Sequence, residues 1–108
     1  WIGYNMKVDN LTSPRSGNVV DNQFTIRDGD TEVFQSYNTT IAKKQGVKYT
    51  ISGDYNYSTT TNRYFGKWLR GFGWYDSDIK ELKKFLTKAS EGDTLELNGC
   101  TFEYINEL

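Results

Sequence analysis

The hydrophobic period changes twice along this chain, and no other feature restricts its fold as much. In the first half, apolar and polar residues alternate, the two-residue repeat of a half-buried strand. Tyr4, Met6 and Val8 alternate with Asn5, Lys7 and Asp9, and Phe24 and Ile26 with Thr25 and Arg27. From Arg63 the repeat becomes helical. With Arg63 at zero and a step of about 100°, Tyr64, Trp68, Phe72, Phe65 and Leu69 form one apolar face between about 100° and 240°. Arg63, Lys67 and Arg70 form a basic stripe opposite. A second helical stripe follows in Ile79, Leu82, Phe85, Leu86 and Ala89, with Lys80, Lys83, Lys84 and Lys88 around it. Alternation then returns in Leu95, Leu97, Phe102 and Tyr104. Strands, then two helices, then strands predict an α+β domain: an antiparallel β-meander, two consecutive helices packed on one side, and a C-terminal β-hairpin.

Turn chemistry divides these runs. Asn10 to Asn18 collects Asn, Ser, Pro and Gly and reads as a loop. A strand begins at Asn22, Asp28-Gly29 supplies positive-φ residues for a tight turn, and Thr31 to Tyr37 runs back. Two β-rich runs, "TTIAKK" and "VKYTIS", join across Gln45-Gly46. The stretch "YSTTTN" precedes the first helix and offers several N-caps, and Gly71 and Gly73 can end it. Asp78 with Glu81 has the spacing of a capping box for the second helix, and Asp76 and Ser77 are further candidate caps. "EGD" ends it at Gly92. Asn98-Gly99 is the strongest short hairpin signal in the chain.

At 108 residues the chain fits one domain with a single modest core. Met6-Lys7-Val8 reads as a native start, so residues 1–5 carry no functional weight. The formal net charge is −1, which gives no overall affinity for polyanions and no mimicry of them. Cys100 has no second cysteine to pair with, which fits a reducing compartment. It stands after Asn98-Gly99 in a strand-like run and reads as a small core or half-buried residue. No apolar run is long enough to span a bilayer. The tripeptides at Asn10, Asn38 and Asn56 match the glycosylation pattern, but nothing else in the chain indicates secretion.

The usual catalytic constellations are missing. The sequence has no histidine, which removes Ser-His-Asp and Cys-His arrangements and histidine metal ligands. There is no phosphate-binding glycine loop and no cofactor motif. "DGDTE" at Asp28 to Glu32 lacks the later ligands of a calcium loop and reads as a turn. The residue types point to binding instead of catalysis, and the richest stretch runs from Tyr55 to Tyr75. The helical wheel commits Tyr64, Phe65, Trp68 and Phe72 to the core, leaving Tyr55, Tyr57, Trp74 and Tyr75 as candidate exposed rings. Arg63, Lys67 and Arg70 would be the cations beside them. Tyr, Trp and Arg are the types enriched in protein-interface hot spots. The same rings and cations also suit single-stranded nucleic acid, through stacking and phosphate contacts. A homo-oligomeric accessory protein is a third possibility.

The segments "SPRSGNVVDNQFTI" (13–26), "VFQSYNTTIA" (33–42) and "YNYSTTTNRYFGKWL" (55–69) resemble a group of small bacteriophage proteins of uncharacterised function. The shared features are a Ser-x-x-Ser-Gly-Asn loop before an Asn-Gln-Phe strand, a Phe-Gln-Ser-Tyr strand, and a Tyr-Ser-x-Thr-Thr-x-x-Tyr helix start. The likeness covers about the first two-thirds of the chain; the lysine-rich helix and the final hairpin have no counterpart in it. The resemblance implies a phage protein made in the bacterial host's cytoplasm and brings no catalytic residues. Small phage proteins of this kind often occlude a host factor. The resulting expectation is a non-enzymatic inhibitor of host defence acting on a host protein, with an anti-CRISPR protein bound to a CRISPR effector as its most concrete form.

Overall fold

The computed structural model describes residues 6–13 and 16–108. Tyr4, the first residue expected in a strand, the rest of residues 1–5, read as lying before a native start at Met6, and Pro14 and Arg15 of the expected loop lie outside them. The elements are β1 (Met6–Thr12), β2 (Val19–Asp28), β3 (Thr31–Ser36), β4 (Thr39–Gln45), β5 (Lys48–Ser52), a short 3-10 helix (Gly53–Asn56), α1 (Thr59–Arg70), α2 (Asp76–Lys88), β6 (Thr94–Leu97) and β7 (Cys100–Ile105). This is the α+β architecture expected, and both sets of strands join in one sheet.

The sheet has seven strands in the order β1-β2-β3-β4-β5-β7-β6. The first five form an antiparallel meander. The chain leaves β5, crosses the sheet as α1 and α2, enters the edge strand β6 and returns through β7 into the place beside β5. There β7 runs parallel to β5, Tyr49 beside Phe102 and Ile51 beside Tyr104. A parallel pair requires a long crossover, and the two helices supply it.

Residues opposite each other in the ladders share a face. One face carries Thr25, Phe34, Ala42, Ile51 and Tyr104 in one row, and Arg27, Glu32, Lys44, Tyr49, Phe102 and Leu95 in the next. Phe34, Ala42, Tyr49, Ile51 and Phe102 are buried there beneath Tyr64, Phe65, Trp68 and Leu69 of α1 and Ile79, Leu82 and Leu86 of α2. The core is largely aromatic: Phe34 stacks near Trp68 with centroids 6.2 Å apart, and Tyr49 on Phe102 at 4.5 Å. Each such ring is worth about 1.5–3 kcal/mol in burial. The opposite face, with Val8, Ile26, Val33, Lys43, Thr50 and Glu103 in register, has no fully buried residue in that row.

Several boundaries differ from expectation. Asn10, Leu11 and Thr12, expected in a loop, continue β1, because Asn10 pairs with Phe24 and, across a bulge, Thr12 pairs with Val19, where β2 already begins; Asn10 Nδ2 also donates to the Val20 carbonyl at 3.1 Å. Asn22 is therefore inside a strand, at φ 67°, and its carbonyl accepts from Tyr37 N–H. Asp28 pairs with Thr31, so the tight turn is Gly29-Asp30 and only Gly29 has positive φ there. Helix α1 starts within the threonine run, with Ser58 alone as the N-cap. Helix α2 has no capping box. Its N-cap is Tyr75, without a side-chain hydrogen bond, and Asp76 and Asp78 are already inside the first turn. The Asn98-Gly99 turn is as expected, with both residues at positive φ.

Candidate aromatic and acidic cleft at the helix corner

The corner between α1 and α2 is built by Gly71 to Tyr75. Gly71 caps α1, and Gly73 at φ 94° turns the chain back so that α2 can begin within five residues. Trp74 is half-buried and fixed on two sides. Its Nε1–H donates to the Tyr49 hydroxyl at 2.9 Å, and its ring meets Phe102 edge-on at 5.2 Å. Burial pushes the Tyr49 hydroxyl pKa up, with the Trp74 hydrogen bond pulling the other way. Phe72 packs edge-on to Trp68 at 5.0 Å, and Lys44 Nζ lies 5.0 Å from its centroid. Tyr75 stands clear, 76% exposed.

Beside these rings is a cleft of about 200 Å³ lined by Phe72, Gly73, Trp74, Tyr75, Asp78 and Asn98. Asp78 is the third residue of α2 and is half-buried. Among the described residues its carboxylate has no ion-pair partner and makes no capping bond. Asn98 reaches the cleft from the β6–β7 turn. Three separate parts of the chain thus present two half-buried rings, one exposed ring, a carboxylate and an amide to one recess.

The residues expected to form a binding surface are not brought together. Trp74 and Tyr75 are in the cleft. Tyr57 is 53% exposed but precedes the opposite end of α1. Tyr55 is a correction: the 3-10 helix turns it inward to 5% exposure, its ring 5.7 Å from Phe65 and its hydroxyl 3.4 Å from Thr87 Oγ1, so it presents no ring to a partner. Lys67 is half-buried and donates to the carbonyl and hydroxyl of Thr12. Arg70 pairs with Asp76 at 3.2 Å. Arg63 is exposed, with no ion pair among the described residues. Lys83 of α2 bonds the Asn62 carbonyl at 3.1 Å, and burial followed by the nearby Arg70 charge lowers its pKa. Asp78 and Asn98 were not among the expected binding residues. By sequence Asp78 reads as a helix cap and Asn98 as half of a turn.

A second recess of about 350 Å³ lies between the sheet and α1, lined in part by Leu11, Arg27, Glu32, Lys67 and Phe72. Its polar groups are already engaged, Arg27 in an ion pair with Glu32 at 3.4 Å and Lys67 in hydrogen bonds to Thr12. Among the described residues no cluster of three or more His, Cys, Asp or Glu is placed to hold a metal. Among the described residues no helix is long and apolar enough to cross a membrane.

Compared with known families, residues 6–90 match the Family of unknown function (DUF8033). The chain belongs to this family. The DUF8033 match takes in the meander, both helices and most of the cleft, and it stops before Asn98 and the β6–β7 hairpin. No curated protein matches the chain, and no solved structure does.

Proposed function

We propose that this chain is a non-catalytic protein-binding domain whose contact surface is the α1–α2 corner. The observation that carries this reading is Tyr75, a large amphipathic ring 76% exposed beside a cleft whose other two rings, Phe72 and Trp74, pack against the core. Tyr and Trp bury much area at low entropic cost, and a rigid scaffold reduces that cost further. Nucleic acid binding has less support, because Tyr55 is buried and Lys67 and Arg70 are already engaged. The resemblance to small phage proteins makes inhibition of host defence, by occluding a CRISPR effector in the bacterial cytoplasm, the concrete form of this function.

The test is a plaque assay in a bacterium with active CRISPR immunity. Expression of the chain should restore plaques of a targeted phage, and Tyr75→Ala should abolish the effect while Tyr37→Ala, at an exposed tyrosine in the β3–β4 turn, keeps it. No restoration by the intact chain would end the defence reading. Full restoration by Tyr75→Ala would end the surface assignment.

A further inference from the structure

The cleft has the chemistry of a cation site. Its lining contains aromatic rings, a carboxylate and an amide, and no basic residue. An ammonium or guanidinium is attracted to the face of an aromatic ring, most strongly to Trp and Tyr and most strongly when water is excluded. The corner already shows the interaction once, with Lys44 Nζ over Phe72 at 5.0 Å. That leaves Trp74 and Tyr75 as the rings for a second cation. Of the two basic residues nearest in sequence, Arg70 pairs with Asp76 at 3.2 Å, and Lys80, two residues after Asp78, is exposed and lies outside the lining. The first turn of α2 sets about half a positive charge nearby, and the full charge of Asp78 outweighs it. At about 200 Å³ the recess is below the size, roughly 300 Å³, at which pockets take free drug-sized ligands. It suits one long side chain.

Resting on the protein-binding reading above, we infer that the cleft receives a lysine or arginine side chain of the partner protein. Trp74 and Tyr75 flank its cationic head, Asp78 pairs with it, and the Asn98 amide oxygen accepts one of its N–H groups. Electrostatic complementarity of this kind fixes register and partner choice more than raw affinity. The partner surface is accordingly basic, with at least one projecting Lys or Arg.

The experiment is nuclear magnetic resonance on the full ¹⁵N-labelled chain, with acetylated and amidated tri-arginine and tri-lysine peptides as probes and tri-glutamate as control. The basic peptides should shift the Trp74 indole N–H and the amides of Gly73, Tyr75 and Asn98, leaving the Trp68 indole in place. Asp78→Asn should weaken this response about tenfold, the loss of one partly exposed charge pair. Asp28→Asn, a remote substitution with the same change in net charge, should leave it intact. An equal response to tri-glutamate, an undiminished response in Asp78→Asn, or no response at all would overturn the inference. Shifts of the same peaks on concentrating the protein alone would assign the cleft to a second copy of the chain and overturn it as well. If Tyr75→Ala abolishes activity in the plaque assay while basic peptides leave the cleft unmoved, the surface stands and the cation falls. If neither responds, both fall.

Discussion

Tyr49 connects the core to the cleft. It is 2% exposed, stacks on Phe102 and holds the Trp74 indole through its hydroxyl. Because burial raises its pKa above the usual value, the folded state holds the phenolic proton more tightly than the unfolded chain does. That contribution is fully present below about pH 10, the ordinary tyrosine pKa, and is lost as pH rises through the folded value. Tyr49→Phe should therefore show a shallower loss of stability than wild type as pH rises above about 10. At neutral pH it should cost about 1 kcal/mol, since Trp74 Nε1 loses its acceptor. Urea midpoints across that range check both statements, and identical alkaline limbs would contradict the first. The exposed ring of Tyr75, by contrast, contributes little to folding, which makes it a clean residue for testing binding.

At the scale of elements, the two helices begin differently. The Ser58 hydroxyl accepts from Thr61 N–H at 3.0 Å, and Thr61 Oγ1 in turn bonds Ser36 Oγ of β3 at 2.9 Å, so the cap ties α1 to the sheet. Ser58→Ala should cost about 1 kcal/mol. Asp76→Ala removes only an exposed ion pair and a dipole contact, together about 0.5 kcal/mol. Thermal unfolding should rank the two in that order; a larger loss for Asp76→Ala would contradict it. The same contrast shows what the sequence could reveal. The apolar stripes of both helices were legible because burial has a 3.6-residue period, and Asn98-Gly99 was legible because only a primed turn suits that pair. The extent of β1 was not, since Asn10 to Thr12 lead into a run of turn formers and become strand only through pairing with β2. The cleft was half legible: Trp74 and Tyr75 are local and conspicuous, whereas Asp78 and Asn98 join them only through the fold.

For the whole molecule, the β6–β7 hairpin is decisive despite its late position. It lies beyond the residues matched to the family, yet β7 is inserted between β5 and β6 and supplies Phe102, which is fully buried. No local pattern marks a parallel pairing between strands about fifty residues apart, so composition and period left that junction open. Phe102→Ala should cost about 3–5 kcal/mol, a large part of the 5–15 kcal/mol typical of a domain. It should also loosen Trp74, whose ring leans on Phe102; guanidinium unfolding and tryptophan fluorescence give the two readouts. A loss under about 1 kcal/mol, well below the range for a filled core site, would contradict the central place assigned to β7. The account as a whole turns on the helix corner as the contact surface, and site-specific photocrosslinking in living cells tests that most directly. A benzophenone amino acid in place of Tyr75 should give a discrete adduct with a second protein, weaker when Asp78→Asn is added, while the same group in place of Tyr37 gives none. An adduct from position 37 with none from position 75 would contradict it.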